Sequence, residues 1–148
     1  MPSKVEATKR QGGEVIQTTG GLLDLCLALR PDRALTLVHP FDDLAIMGGQ
    51  GAVGLELLDQ VPRVDMIVVP IGGGGLISGI AAAVKLRHPS VRVVGVEPEG
   101  ADVMSRSLMQ GVPVHMENAD TVADGFASPF AGEHAFRHVQ RFVDEVVR

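Results

Sequence analysis

The stretch Asp65-Met66-Ile67-Val68-Val69-Pro70-Ile71-Gly72-Gly73-Gly74-Gly75-Leu76-Ile77-Ser78-Gly79-Ile80-Ala81-Ala82-Ala83-Val84 decides the fold. Residues 66–84 carry no charge, which a hydropathy window reads as a membrane span. Pro70 and Gly72 to Gly75 in its middle exclude that reading, since in lipid they would break the helix and leave backbone donors unpaired. The stretch divides instead into a strand over 65–70, a glycine bend and a helix over about 76–86. Ile77, Ile80, Ala81 and Val84 mark the inner face of that helix. A continuous apolar strand of this kind is buried on both faces of a parallel sheet. A second strand follows over 91–97, so strand, helix and strand form a βαβ unit with parallel, right-handed connection. The expected fold class is α/β, an open and mostly parallel sheet with flanking helices.

Outward from this unit the pattern is mixed. A capping-box pattern, Ser3-Lys4-Val5-Glu6, opens a helix over 4–11 that Gly12 and Gly13 stop. A strand is expected over 14–18, a helix over 22–29 ended by Pro31, and a short apolar strand over 35–39. A helix over 53–61 places Val53, Leu57, Leu58 and Val61 on one face. Beyond the unit, residues 101–110 read as a helix and 111–129 as loops. A last helix over 133–147 buries Phe136, Val139, Val143 and Val146.

Composition narrows the function. Among 148 residues there are 13 Lys and Arg against 18 Asp and Glu, a net charge of −5, and neither Tyr nor Trp. Nucleic-acid surfaces need clustered cations and stacking rings, so that class is set aside. The single cysteine, Cys26, excludes an intrachain disulfide and suggests a reducing, cytoplasmic setting. It falls in an apolar helical run and reads as a buried structural thiol. No signal peptide is recognisable at the start.

The chemistry concentrates in Gly72-Gly73-Gly74-Gly75-Leu76. Glycines between a buried strand and a helix let several backbone N–H groups converge on an anion, and the helix N-terminus adds partial positive charge. A phosphate monoester is the expected ligand. A second run, Gly49-Gln50-Gly51-Ala52-Val53-Gly54, is a literal GxGxxG, but no clear strand precedes it and it reads as a tight turn feeding a helix. His134 and His138 have metal-compatible spacing, yet no third ligand adjoins them, so they read as a solvated helix face. Lys4, Lys9 and Lys85 read the same way. Glu97 ends a strand at the carboxyl rim of the sheet, where α/β proteins bind ligands, and serves either a ligand or a capping role.

Several motifs in order carry a resemblance: His39-Pro40-Phe41-Asp42-Asp43, Gly49-Gln50-Gly51, Val69-Pro70-Ile71-Gly72-Gly73-Gly74-Gly75-Leu76, Gly95-Val96-Glu97-Pro98 and Ala123-Asp124-Gly125. Together they resemble the fold-type II pyridoxal-phosphate enzymes, in the threonine/serine dehydratase and serine racemase group. The resemblance implies the large domain of the tryptophan-synthase-β-like fold over residues 34–148, incomplete, with residues 1–33 a remnant of the small domain. It implies that Gly72, Gly73, Gly74, Gly75 and the Leu76 amide hold the cofactor phosphate, that Gly125 lies beside the pyridine ring, and that Phe41 lines the site. In metal-binding members Glu97 and the Ala101 carbonyl would ligate Mg²⁺ or a similar cation. This chain has Val103 where a further acidic ligand is expected.

The resemblance also implies an internal fragment. The family's Schiff-base lysine lies in an S-x-K-x-R-type motif upstream of everything here, and the group facing the pyridine nitrogen lies downstream of Arg148. The implied reaction is β-elimination from L-threonine or L-serine, with serine racemisation as the alternative within the family. The chain alone is expected to be inactive, with self-association or a homo-oligomer expected. The competing classes are a non-catalytic phosphate- or nucleotide-binding module and a fragment that works only with a partner.

Overall fold

The computed structural model describes residues 2–148. The chain forms two compact units, the first running to Leu37 and the second spanning Val38–Arg148.

In the first unit, α1 (Pro2–Arg10) begins with proline, whose missing N–H is one that a helix start leaves unpaired anyway. Ser3 therefore lies inside the first turn and does not cap it. Gly12, at φ 81°, closes the helix. Residues 14–18, expected as a strand, form none. The helix α2 (Leu22–Arg33) runs past Pro31 and ends only at Ala34, whose left-handed backbone lets residues 34 and 35 donate to Pro31 and Arg30. Cys26 is exposed, contrary to the expectation of a buried thiol. Residues 35–39 likewise form no strand. An apolar run becomes a strand only where a neighbour takes up its amides, and among the described residues none does.

The second unit opens with α3 (Leu44–Gln60), capped by Asp43, whose side chain accepts the Ala45 and Ile46 amides. The GxGxxG run is therefore helix interior, not a turn. It is followed by β1 (Met66–Pro70), α4 (Gly75–Arg87) and β2 (Arg92–Val96). A 3₁₀ turn (Glu99–Ala101) and α5 (Val103–Gln110) replace the single helix expected over 101–110. A second 3₁₀ turn (Asp124–Phe126), α6 (Glu133–Phe142) and β3 (Glu145–Val147) complete the unit. The sheet order is β1-β2-β3, all parallel.

The last helix expected over 133–147 thus stops early. Asp144 donates its amide to the Val93 carbonyl and accepts the Val93 amide on its side chain, and the chain leaves the helix to pair with β2. Val143 and Val146 are half-buried beside the core.

That core lies between the sheet and the α4 and α6 layer: Ile67, Val69, Ile71, Ile77, Ile80, Val84, Val93, Phe136 and Val139. Ile67 and Val69 point into it, whereas Met66 and Val68 face outward, 43% and 58% exposed, so β1 is covered on one face only. On α3 the inward face is Met47, Gly51, Gly54 and Leu58. Val53 and Val61, expected on that face, are exposed. The helix is turned by its glycines. A Cβ on Gly54 would stand 3.0 Å from the Ile80 carbonyl oxygen, and one on Gly51 3.2 Å from that of Gly79. These glycines let α3 and α4 cross backbone to backbone. No helix among the described residues is long and apolar enough to cross a membrane.

Candidate functional site

The bend between β1 and α4 is built from four glycines, and at Gly73, Gly74 and Gly75 the surroundings leave no room for a side chain. Gly74 adopts φ 97°, which side-chain-bearing residues avoid, and a Cβ there would also meet Met104 at 2.7 Å and Ala135 at 2.9 Å. At Gly73 and Gly75 a Cβ would run into Phe41, its ring and its backbone respectively. At Gly72 the neighbour is the 123–126 turn, with the Gly125 carbonyl oxygen 3.4 Å from a Cβ. Phe41, the four glycines, Leu76 and Gly125 therefore meet around one cavity of about 350 Å³, which Pro40, Gln50 and Phe126 also line.

The amides of this bend are its chemistry. The Ile71 amide pairs with the Val96 carbonyl, and the Ser78 amide with that of Gly74. Between them, the amides of Gly72, Gly73, Gly74, Gly75 and Leu76 donate to no protein acceptor among the described residues. A run of unpaired donors at the mouth of a 13-residue helix has the chemistry to receive an anion, to which the helix dipole would add.

Two supports hold the bend in shape. The buried Ser78 hydroxyl donates to the Gly74 carbonyl at 2.7 Å and reaches the Ala135 carbonyl at 3.2 Å, tying α4 to α6. The Gly132 amide donates to the Gly73 carbonyl at 3.2 Å. The Gly125 turn is held at its base, where the Met116 amide donates to the Pro129 carbonyl and His115 bridges to Phe130.

Glu97 and Ala101 do not line this cavity. Both are buried, Glu97 at 1% exposure. One Glu97 oxygen accepts the Met104 amide at 2.7 Å. The other accepts the Ser105 amide at 2.8 Å and the Ser105 hydroxyl at 2.6 Å. Glu97 thus caps the N-terminus of α5 from the residue after β2. Burial pushes its carboxyl above the usual carboxylate range. The Ser105 and Met104 donors oppose that rise, and the charge of Asp102 adds to it. Burial also presses Asp102 upward, but hydrogen bonds from Arg106 at 2.6 Å and Arg148 at 3.1 Å outweigh it and hold its carboxyl low. Val103 is buried among apolar neighbours. The Glu97 and Asp102 carboxylates are thus each engaged by protein donors, and the third position, Val103, is aliphatic.

Lys85, expected on a solvated face, is instead largely buried at the C-terminal end of α4, away from the bend that opens the same helix. His134 and His138 lie on the outer side of α6. The His138 Nδ1 donates to the His134 carbonyl at 2.7 Å, and no group of three metal-ligating residues occurs among the described residues. Pro40, Gln50 and Phe126 were missed in the sequence because loop and mid-helix positions carry no periodic signal.

Comparison with known proteins gives concordant findings. The family model described as "Pyridoxal-phosphate dependent enzyme" matches residues 1–148. An L-threonine ammonia-lyase of Geobacter sulfurreducens is 45% identical over 150 residues, covering 99% of this chain and 37% of that protein. The structure of maize serine racemase superposes with a TM-score of 0.92 at 39% identity, over 99% of this chain and 47% of that one. The processed form of threonine deaminase isoform 2 from Solanum lycopersicum gives 0.90 at 36% identity, over 100% and 42%. The chain thus spans less than half the length of each of these proteins.

Proposed function

The chain belongs to the pyridoxal-phosphate dependent enzyme family, and from that premise we propose that its glycine bend grips the phosphate ester of pyridoxal phosphate. The enzyme it serves eliminates the β-hydroxyl of L-threonine or L-serine, giving 2-oxobutyrate or pyruvate and ammonia. The observation that carries the reading is the run of unpartnered amides from Gly72 to Leu76 beside a cavity large enough for a small ligand. Similarity to a threonine ammonia-lyase and to threonine deaminase supports elimination. Similarity to maize serine racemase supports racemisation of serine as the second reading.

Within this reading, Gly72, Gly73, Gly74, Gly75 and Leu76 bind the phosphate through their N–H groups. Phe41 supplies an apolar wall, and the Gly125 turn closes the side facing Gly72. Pyridoxal phosphate, when bound, supplies an electron sink for the pair left behind as the substrate's α-proton departs. No amine of the second unit can hold the cofactor covalently, because its one lysine, Lys85, is bonded to the Pro89 and Val91 carbonyls and to Asp144. Lys4 and Lys9 lie on α1, in a charged helix with no buried residue. The chain by itself therefore binds without turning over. No cation is proposed, since Glu97 and Asp102 are already engaged and Val103 cannot ligate. Amino-acid chemistry of this kind fits the cytoplasm, where the exposed Cys26 thiol stays reduced.

The test is a titration of the full chain with pyridoxal phosphate, followed by absorbance, competition and borohydride reduction with peptide mapping. Saturable binding displaced by inorganic phosphate, no single reduced lysine and no threonine turnover are expected. Tighter binding of NAD or ATP would replace the proposal with a nucleotide-binding module. A reduced adduct on one lysine together with turnover would overturn the inactivity of the chain alone.

A further inference from the structure

Asp42 sits next to Phe41, yet its carboxylate faces another element. One oxygen accepts the Glu133 amide at 3.0 Å and the other the Ala135 amide at 3.1 Å. Both are first-turn donors of α6, which carries no side-chain cap of its own. The seat is made by Gly132, where any Cβ would collide with the Asp42 carboxyl. The same Gly132 donates its amide to the Gly73 carbonyl, inside the anion-binding bend. On the other side of Asp42, the His39 Nδ1 accepts the Asp42 amide at 2.8 Å and the Phe41 amide at 3.2 Å, fixing the backbone between them. The Phe41 ring is held at 4.9 Å from His39 and 5.1 Å from Phe130, centroid to centroid.

We propose that Asp42 is a positioning residue of the anion site. Clamped to the start of α6, it holds Phe41 against Gly73 and Gly75 and, through Gly132, keeps the Gly73 peptide turned so that the amides of the bend face the cavity. This deepens the function proposed above and rests on it for the identity of the ligand. Asp42 does not line the cavity, and it acts only through Phe41 and Gly132.

The experiment is a double-mutant cycle in the full chain, with pyridoxal phosphate and inorganic phosphate as probes. Asp42→Ala and Phe41→Ala should each weaken pyridoxal phosphate binding about tenfold, a difference of roughly 1.4 kcal/mol. Because Asp42 acts in part through Phe41, the two losses should not add, and the double variant should bind clearly tighter than the roughly hundredfold loss that two independent tenfold effects would give. Asp42→Asn, which keeps one acceptor oxygen, should recover part of the loss. A fully additive double variant, or Asp42→Ala binding as the parent does, would overturn the positioning role. Should the parent chain bind phosphate but not pyridoxal phosphate, the proposed function fails, and the same cycle read with phosphate still decides for or against Asp42. Amide hydrogen exchange supplies a ligand-free readout. Asp42→Ala should speed exchange at Glu133, Ala135 and Gly132 together, and unchanged exchange at Gly132 would overturn the link to the bend.

Discussion

Lys85 and Asp144 meet at 2.7 Å, and the same aspartate accepts the Val93 amide, so one carboxylate joins the end of α4 to β2 and to the turn before β3. Burial works against ionisation of Asp144. Lys85, the Val93 amide and Arg92 overcome it and hold its carboxyl below the usual carboxylate range. A carboxyl lowered in the folded state adds stability that is present above its unfolded pKa and is lost as pH falls through the folded value. Asp144→Asn is therefore expected to lower stability at pH 7 by about 1–3 kcal/mol, the range for removing one member of a charged hydrogen-bond pair. Urea unfolding of both proteins from pH 7 down to 3 checks it. The gap between them should narrow in acid, and a gap that stays constant would show that the charge of Asp144 contributes nothing.

The glycines of the helix crossing and the glycines beside it should respond oppositely to alanine. At Gly79 a Cβ would collide with the Met47 carbonyl and stand 2.7 Å from the Gly51 nitrogen, both backbone atoms that cannot step aside. Gly79→Ala is expected to cost about 1–3 kcal/mol or more, as overpacking does. Gly48 lies in α3, the helix that Gly79 of α4 packs against, with nothing within 4 Å of a Cβ and no positive φ. Gly48→Ala is expected to stabilise by up to about 1 kcal/mol, the helix-propensity difference. Thermal unfolding of the pair would refute the crossing if both substitutions shifted the midpoint in the same direction.

That crossing also marks where sequence reading stopped. The unit β1–α4–β2 was legible because β1 is an unbroken apolar run, β2 is valine-rich, and α4 repeats its apolar positions at helical spacing. The start of α3 was not, because Met47-Gly48-Gly49-Gln50-Gly51 buries its face with glycines, and a face made of absent side chains leaves no hydrophobic period to read. β3 was hidden for a different reason. Val143, Val146 and Val147 continue the helical spacing of α6, and only the tertiary bond between Asp144 and Val93 ends the helix. At the candidate site, the glycines of the bend were visible as a run, while Asp42, which reaches α6 across 91 residues, had no local signature.

Gly74 is the position where the bend tolerates least. Its φ of 97° and the closeness of Met104 and Ala135 both reject a side chain. Gly74→Ala should cost about 1–2 kcal/mol in backbone strain alone and weaken phosphate binding at least about tenfold, equivalent to 1.4 kcal/mol. Titration of labelled parent protein with phosphate should move the amide resonances of residues 72–76 first. A folded Gly74→Ala variant that binds phosphate as the parent does would remove the bend from the site.

The exposed side of β1 predicts association. β1 has β2 as its one neighbour in the sheet order, and Met66 and Val68 project from the uncovered face. An apolar strand with a free edge is a template for pairing. The chain should self-associate at tens of micromolar, and Val68→Lys should return it to monomer without loss of fold, since Val68 is outside the core. Light scattering after size exclusion measures this. A parent chain that is already monomeric at high concentration would show that this face and edge drive no association.

Glu97 offers the sharpest contrast between what resemblance implies and what the structure holds. A carboxylate that accepts three donors from the first turn of α5 has both oxygens already occupied, by a hydroxyl and two amides beside the helix dipole. Adding Mg²⁺ or EDTA should then leave the unfolding midpoint unmoved. Ser105→Ala removes the shortest of the three bonds and should cost about 1.5–3 kcal/mol, as losses of hydrogen bonds to charged groups do. Because burial raises the Glu97 carboxyl, its ionisation opposes folding, so this group makes the protein less stable as pH climbs from its unfolded pKa through the raised folded value. Ser105→Ala takes away a bond that favours the charged form and should push the folded pKa higher still, extending that loss to higher pH. Stability curves against pH, with and without Mg²⁺, test both statements. A midpoint raised by millimolar Mg²⁺ in the parent and not in Glu97→Gln would establish a cation there after all.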